Sequence, residues 1–112
     1  MSWVRICPEH RLEPERGVAA LIGEAQVAIF LTHDGNLYAI ENYDPYARAF
    51  VLSRGIVGTR GQAPIVASPM HKQAYDLRTG ACLDLPGVSV RTFEVRRVAA
   101  EDGAWVEVRC PA

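Results

Sequence analysis

The sequence predicts an all-β protein on three observations. Short apolar runs alternate with polar residues at a period of two, Gly and Pro punctuate the chain at close intervals, and no helix-period stretch exceeds two turns. The 112 residues are expected to form one domain, 1–112, large enough to bury a modest core.

The elements follow in order. Trp3-Val4-Arg5-Ile6-Cys7 alternates as a half-buried strand does. Pro14 limits Glu13 to Gly17 to a brief turn. Gly17 to Ile22 is a short apolar strand ending at Gly23-Glu24. Ala25 to Thr32 and Leu37 to Glu41 flank His33-Asp34-Gly35-Asn36, and Asp-Gly between two β-prone runs is a strong hairpin signal because those positions need positive φ. From about Asn42 to Pro69 the chain is rich in Gly and Pro and poor in periodicity, with apolar pieces at Phe50-Val51-Leu52 and Pro64-Ile65-Val66-Ala67. Gly55, Gly58 and Gly61 read here as turn glycines with positive φ. His71 to Leu77 reads as a strand, Arg78-Thr79-Gly80 as a turn and Ala81-Cys82-Leu83 as the returning strand, and Val88 and Val90 begin another alternation. Thr92 to Val98 and Trp105 to Arg109 form the last hairpin, with Asp102-Gly103 at its turn. Strands spaced in this way make a sandwich or a small barrel. A long Gly-rich insertion in such a scaffold is where function is usually carried.

Composition narrows the function classes. Hydrophobic residues make up 49% and charged residues 22%, and the formal net charge is −1, which gives no whole-chain signal for nucleic acid or membrane. The distribution is uneven. Between Pro45 and Tyr75 stand Arg48, Arg54, Arg60 and Lys72 with no Asp or Glu, a stretch of +4 that leaves −5 for the rest. A basic band of this kind steers an anionic ligand or an acidic partner, or is simply a solvated face. The N-terminus has no charged start followed by an apolar stretch, and no run approaches the roughly 20 residues needed to span a bilayer, so a cytoplasmic location is expected. Cys7, Cys82 and Cys110 are scattered and odd in number, which fits reduced thiols, the first two in or near strands and Cys110 at a frayed end.

Motifs for catalysis are missing. His10 and His33 lie in polar segments with no nucleophile beside them, Ser53 and Ser68 have no Gly-x-Ser-x-Gly setting, and Gly55, Gly58 and Gly61 do not bridge a strand and a helix as a dinucleotide loop does. Tyr43, Tyr46 and Phe50 interleave with Arg48 and Arg54. Such residues serve single strands of nucleic acid or protein interfaces. Phe50 is expected to lie in the core beneath the loop.

Leu37-Tyr38-Ala39-Ile40-Glu41-Asn42 resembles the strand that enters the first cluster loop of Rieske iron–sulfur domains, and Ala67 to Gly80 resembles the second loop with its following strand and turn. A Rieske centre takes Cys-x-His from one loop and Cys-x-x-His from the other, two thiolates on one iron and two imidazoles on the other. At those four positions stand Asn42, Asp44, Ser68 and His71, so three ligands are replaced. One imidazole cannot hold the cluster, and Ser and Asn are poor substitutes for a soft thiolate. His71 is therefore expected to hydrogen-bond within its loop or to pack at the loop tip. No metal, cofactor or catalytic residue is expected in this chain.

Asn42-Tyr43-Asp44-Pro45, Val51 to Gly58 and Ser68 to Gln73 are similar to the small-subunit family of assimilatory NAD(P)H-dependent nitrite reductases, a likeness running from Trp3 to about Val108. It implies a Rieske-type fold without the [2Fe-2S] cluster, a sheet scaffold carrying a two-loop subdomain at about 42–84. It also implies an accessory role beside a large subunit that carries FAD, an iron–sulfur cluster and sirohaem and reduces nitrite to ammonium. Tyr43, Asp44, Arg54, His71 and Lys72 at the loop tips are the expected contacts with that partner; no nucleic acid or membrane is expected. A Rieske-type ferredoxin electron carrier and a stand-alone β interaction domain are the alternatives.

Overall fold

A computed structural model describes residues 2–109, so the expectation for Cys110 lies outside the described residues. In chain order the strands are β1 (Trp3–Pro8), β2 (Gly17–Ile22), β3 (Ala25–Leu31), β4 (Leu37–Glu41), β5 (Tyr43–Asp44) and β6 (Ala49–Phe50). They continue with β7 (Ile56–Arg60), β8 (Ala63–Ala67), β9 (Ala74–Asp76), β10 (Thr92–Phe93), β11 (Val95–Ala100) and β12 (Gly103–Arg109). The sheets are antiparallel, ordered β1-β12-β11, β10-β4-β3-β2, β5-β6 and β7-β8-β9. The all-β expectation holds.

The first two sheets pack on each other through Val106 and Val108 of β12, Val27 and Ile29 of β3 and Ala39 of β4. On the opposite face of the same strands, Ala28, Phe30 and Ile40 meet a second core of Leu52, Val57, Val66, Tyr75 and Leu77. Strand β3 is thus covered on both sides, which is why its middle reads Val27-Ala28-Ile29-Phe30 with no polar residue to mark an outer face. Each fully buried Val, Leu, Ile or Phe of these cores contributes about 1.5–3 kcal/mol. The small sheets of residues 43–76 therefore form a third layer seated on β3 and β4, between the end of β4 and the start of β10. Across the solvent face of the first sheet, Glu107 accepts hydrogen bonds from Arg5 and Arg96 on the two flanking strands.

The middle section is more regular than its composition predicts. Strands β7 and β8 pair from Ile56↔Ala67 to Arg60↔Ala63 around Gly61, whose φ is +63°. Gly58 and Pro64 sit inside these strands and hide the alternation. Of the three glycines read as turn residues, only Gly61 has positive φ. Gly55 serves close approach instead: a Cβ there would lie 2.4 Å from the Ala67 carbonyl oxygen and 2.6 Å from Val66 Cγ2. The strand expected at His71 to Leu77 is only Ala74–Asp76, because Ser68 to Gln73 closes a tight loop in which the Lys72 N–H donates to the Ser68 carbonyl and Lys72 takes φ +62°. The return expected at Ala81-Cys82-Leu83 is reduced to the bridges Tyr75↔Cys82 and Ala81↔Ser89.

Gly55→Ala is expected to destabilise the protein by about 2–3 kcal/mol, since backbone rather than a flexible side chain must yield. At Gly58 a Cβ would meet nothing within 4 Å, and Gly58→Ala is expected to stay within about 0.5 kcal/mol of wild type. Urea unfolding of the two variants checks the contrast.

Candidate functional site

Two loops leave the third layer side by side, one after β4 and one after β8. Asn42 opens the first. Its side-chain oxygen accepts the Ser53 N–H at 2.7 Å, its amide donates to Gln26 Oε1 at 3.3 Å, and its own carbonyl accepts the Leu52 N–H at 3.1 Å. Asn42 is buried and ties the loop both to β3 and to the short 3-10 turn Leu52–Arg54. An amide suits this place because it donates and accepts at once.

Asp44 joins the loops. It is 0% exposed, and its carboxylate accepts from the Ser68 hydroxyl at 2.5 Å, the Tyr75 hydroxyl at 2.7 Å and the Gln73 amide at 2.9 and 3.0 Å. Within its own turn it also accepts from the N–H groups of Tyr46 at 3.1 Å and Ala47 at 3.3 Å. Every donor is neutral, so no ion pair offsets the burial of this charge. Burial by itself would raise the Asp44 pKa, but the hydrogen bonds from Ser68, Tyr75 and the two backbone groups outweigh it and hold the carboxyl below its ordinary value. Burial, with the Asp44 carboxylate nearby, pushes the Tyr75 hydroxyl well above its usual range, so Tyr75 remains a donor. Ser68 in turn accepts the Met70 N–H at 3.2 Å, which shapes the second loop.

The donors present do not fit a Rieske cluster. Asn42 and Ser68 offer an amide and a hydroxyl already committed to protein hydrogen bonds, Asp44 has its acceptor sites filled, and no thiolate stands at either position. His71 is exposed, with its ring edge-on to Tyr46 at 5.0 Å between centroids. Among the described residues, no three His, Cys, Asp or Glu side chains converge in a way that would hold a metal ion.

The structure brings together the sequence-predicted site residues, but not all at the surface. Arg54, His71 and Lys72 are exposed, Tyr43 is half-buried, and Asp44 is wholly interior, so Asp44 cannot itself touch a partner. Phe50 corrects its expectation: it is 54% exposed, because the two-residue strand β6 runs along the rim of the layer and its ring leans on Tyr43 at 4.9 Å. Gln73 and Tyr75 escaped the sequence reading. Gln73 closes the second loop and Tyr75 follows it on β9, and no sequence motif marks either as a partner of Asp44. Tyr46, His71, Lys72 and Gln73 also line an open cleft of about 420 Å³.

Residues 2–109 match the family described as Rieske-like [2Fe-2S] domain. The chain is 41% identical over 96 residues to a nitrite reductase (NADH) small subunit of Escherichia coli K12, covering 85% of this chain and 89% of that one. It superposes with a TM-score of 0.88 on a Mycobacterium tuberculosis crystal structure assigned as an NADH-dependent nitrite reductase small subunit, at 41% identity and covering 99% and 97% of the two chains. It is also 39% identical over 105 residues to part of a nitrite reductase [NAD(P)H] large subunit of Klebsiella oxytoca, covering 93% of this chain and 11% of that protein.

Asp44→Asn is expected to cost on the order of 3 kcal/mol at neutral pH, because an amide turns a donor toward groups that need an acceptor. The folded pKa of Asp44 is lowered, so its stabilisation is complete above the ordinary carboxylate range and is lost as pH falls through the folded value. The stability gap between wild type and variant, measured by urea unfolding, is therefore expected to shrink as the pH is taken from about 7 to about 3.

Proposed function

This chain belongs to the nitrite reductase small subunits of the Rieske-like [2Fe-2S] domain family, and we propose that it serves there as a docking module for the large subunit, using the end that carries the two loops. The observation that carries this reading is the match to a stretch of the Klebsiella oxytoca large subunit. A domain of this kind built into that chain is held beside the large-subunit machinery by the covalent link; a separate chain must reach the same place by binding. Tyr43, Arg54, His71 and Lys72 present the contact, and Asp44 acts from inside by holding the two loops in one shape.

In this role the chain carries no catalytic residue. The holoenzyme reduces nitrite to ammonium with electrons from NADH or NADPH, and FAD, an iron–sulfur cluster and sirohaem reside on the large subunit. The small subunit orders or shields that machinery and is itself no electron relay, since a working ferredoxin needs cluster ligands that Asn42, Asp44 and Ser68 do not supply. The complex works in the cytoplasm. Among the described residues no helix is long and apolar enough to cross a membrane.

Co-expression of the large subunit with and without this chain tests the reading. Nitrite-dependent NAD(P)H oxidation is expected to be higher or longer-lived with the chain present, and the two are expected to co-purify. A small subunit that fails to co-purify, or that comes away brown with about two irons per chain, contradicts it.

A further inference from the structure

The loop end carries an apolar surface that the protein itself does not use. Among the described residues, the strongly exposed large hydrophobic side chains include Tyr46 (52%), Phe50 (54%), Ile56 (73%) and Met70 (54%). All four lie on segments joined at the loops. Phe50 pairs with Tyr43, Tyr46 packs against His71, and Ile56 pairs with Ala67, the residue before Ser68-Pro69-Met70.

Cations flank this surface. Arg48, Arg54 and Lys72 are exposed and have no carboxylate partner among the described residues, whereas Arg5, Arg60, Arg78, Arg96, Arg97 and Arg109 each have one. The one acid between Asn42 and Tyr75 is Asp44, which is buried. Two acids stand at the margins: Asp84 pairs with Arg60, and Glu15 shares a cleft with Arg16, Arg54 and Ile56. An apolar centre with a charged rim is the anatomy of a protein contact, and here cations outnumber acids around it.

That excess of cations chooses the occupant. In a symmetric dimer through this face, Arg48, Arg54 and Lys72 would approach the same cations of the second copy, a juxtaposition that costs rather than stabilises. A partner with carboxylates around an apolar patch satisfies both features. We infer that Phe50, Ile56 and Met70 form the centre of the contact, seated on an apolar patch of the large subunit that is rimmed by Asp and Glu. The inference deepens the docking reading and rests on it. The apolar centre sets how long the complex lasts, and the cations set how fast it forms and how it responds to salt.

The test uses the purified large subunit and the full-length small subunit. Phe50→Ser, Ile56→Ser and Met70→Ser are each expected to weaken binding roughly tenfold or more, with unfolding midpoints near that of wild type. Leu21→Ser, at a side chain 71% exposed on β2, outside residues 42–76, is the control and is expected to bind as wild type does. Association is expected to slow as salt is raised from about 0.05 to 0.5 M, and the chain alone is expected to stay monomeric in sedimentation at about 0.1 mM, inside the range where weak dimers show. If wild type binds the large subunit and the three variants bind equally well, the apolar centre is wrong and the docking reading survives. Self-association that Phe50→Ser abolishes overturns the choice of partner. If wild type does not bind at all, the docking reading fails and this inference falls with it.

Discussion

One buried carboxylate organises the loop end of this protein. Asp44 carries a full charge out of water with no cation beside it, a situation that is tolerated only when hydrogen bonds fill the acceptor sites. Here the second loop supplies Ser68 and Gln73 and the strand after it supplies Tyr75, while the first loop adds the N–H groups of Tyr46 and Ala47. Residues 24 to 31 positions apart in the chain are thereby fixed to one group. In a Rieske domain the metal cluster makes that cross-link. In this chain a carboxylate and its neutral donors make it.

The rest of the third layer follows from this constraint. Asn42, just before Asp44, locks the first loop to the turn at Leu52–Arg54, and Gly55 then lets β7 pass close to the Ala67 carbonyl. The layer is seated on β3 and β4 by Phe30 and Ile40 on one side and Leu52, Val66 and Tyr75 on the other. Tyr75 belongs to both systems, its ring in the core and its hydroxyl on Asp44. The shape of the exposed loop end is thus coupled to the packing of the whole molecule. A surface held this firmly is pre-organised for a partner, which lowers the entropic cost of docking.

Much of the scaffold was legible in the sequence, for reasons that can be located. Strands β2 and β4 match their expected limits because apolar runs end at Gly23 and begin after Gly35-Asn36, where backbone demands single out Gly. The β7–β8 hairpin was not legible, since Gly58 and Pro64 interrupt the pattern that paired strands normally show. The site was legible only in part. The replaced ligand positions could be read from spacing, but the hydrogen bonds that give Asn42, Asp44 and Ser68 their work come from distant segments, and nothing in local sequence marks Gln73 as a donor to Asp44. Exposure was the harder quantity. Phe50 looks like a core residue from its type, and only the position of β6 at the rim places it in solvent.

The account stands on the ionised state of Asp44 inside the protein. Its side-chain carboxyl carbon, followed by NMR through an acid titration of the folded chain, reports that state directly. The hydrogen bonds from Ser68, Tyr75 and the N–H groups of Tyr46 and Ala47 predict a midpoint below the ordinary value of 3.8. A midpoint at or above that value would mean that burial prevails over the donors and that the two loops are held by something other than this carboxylate.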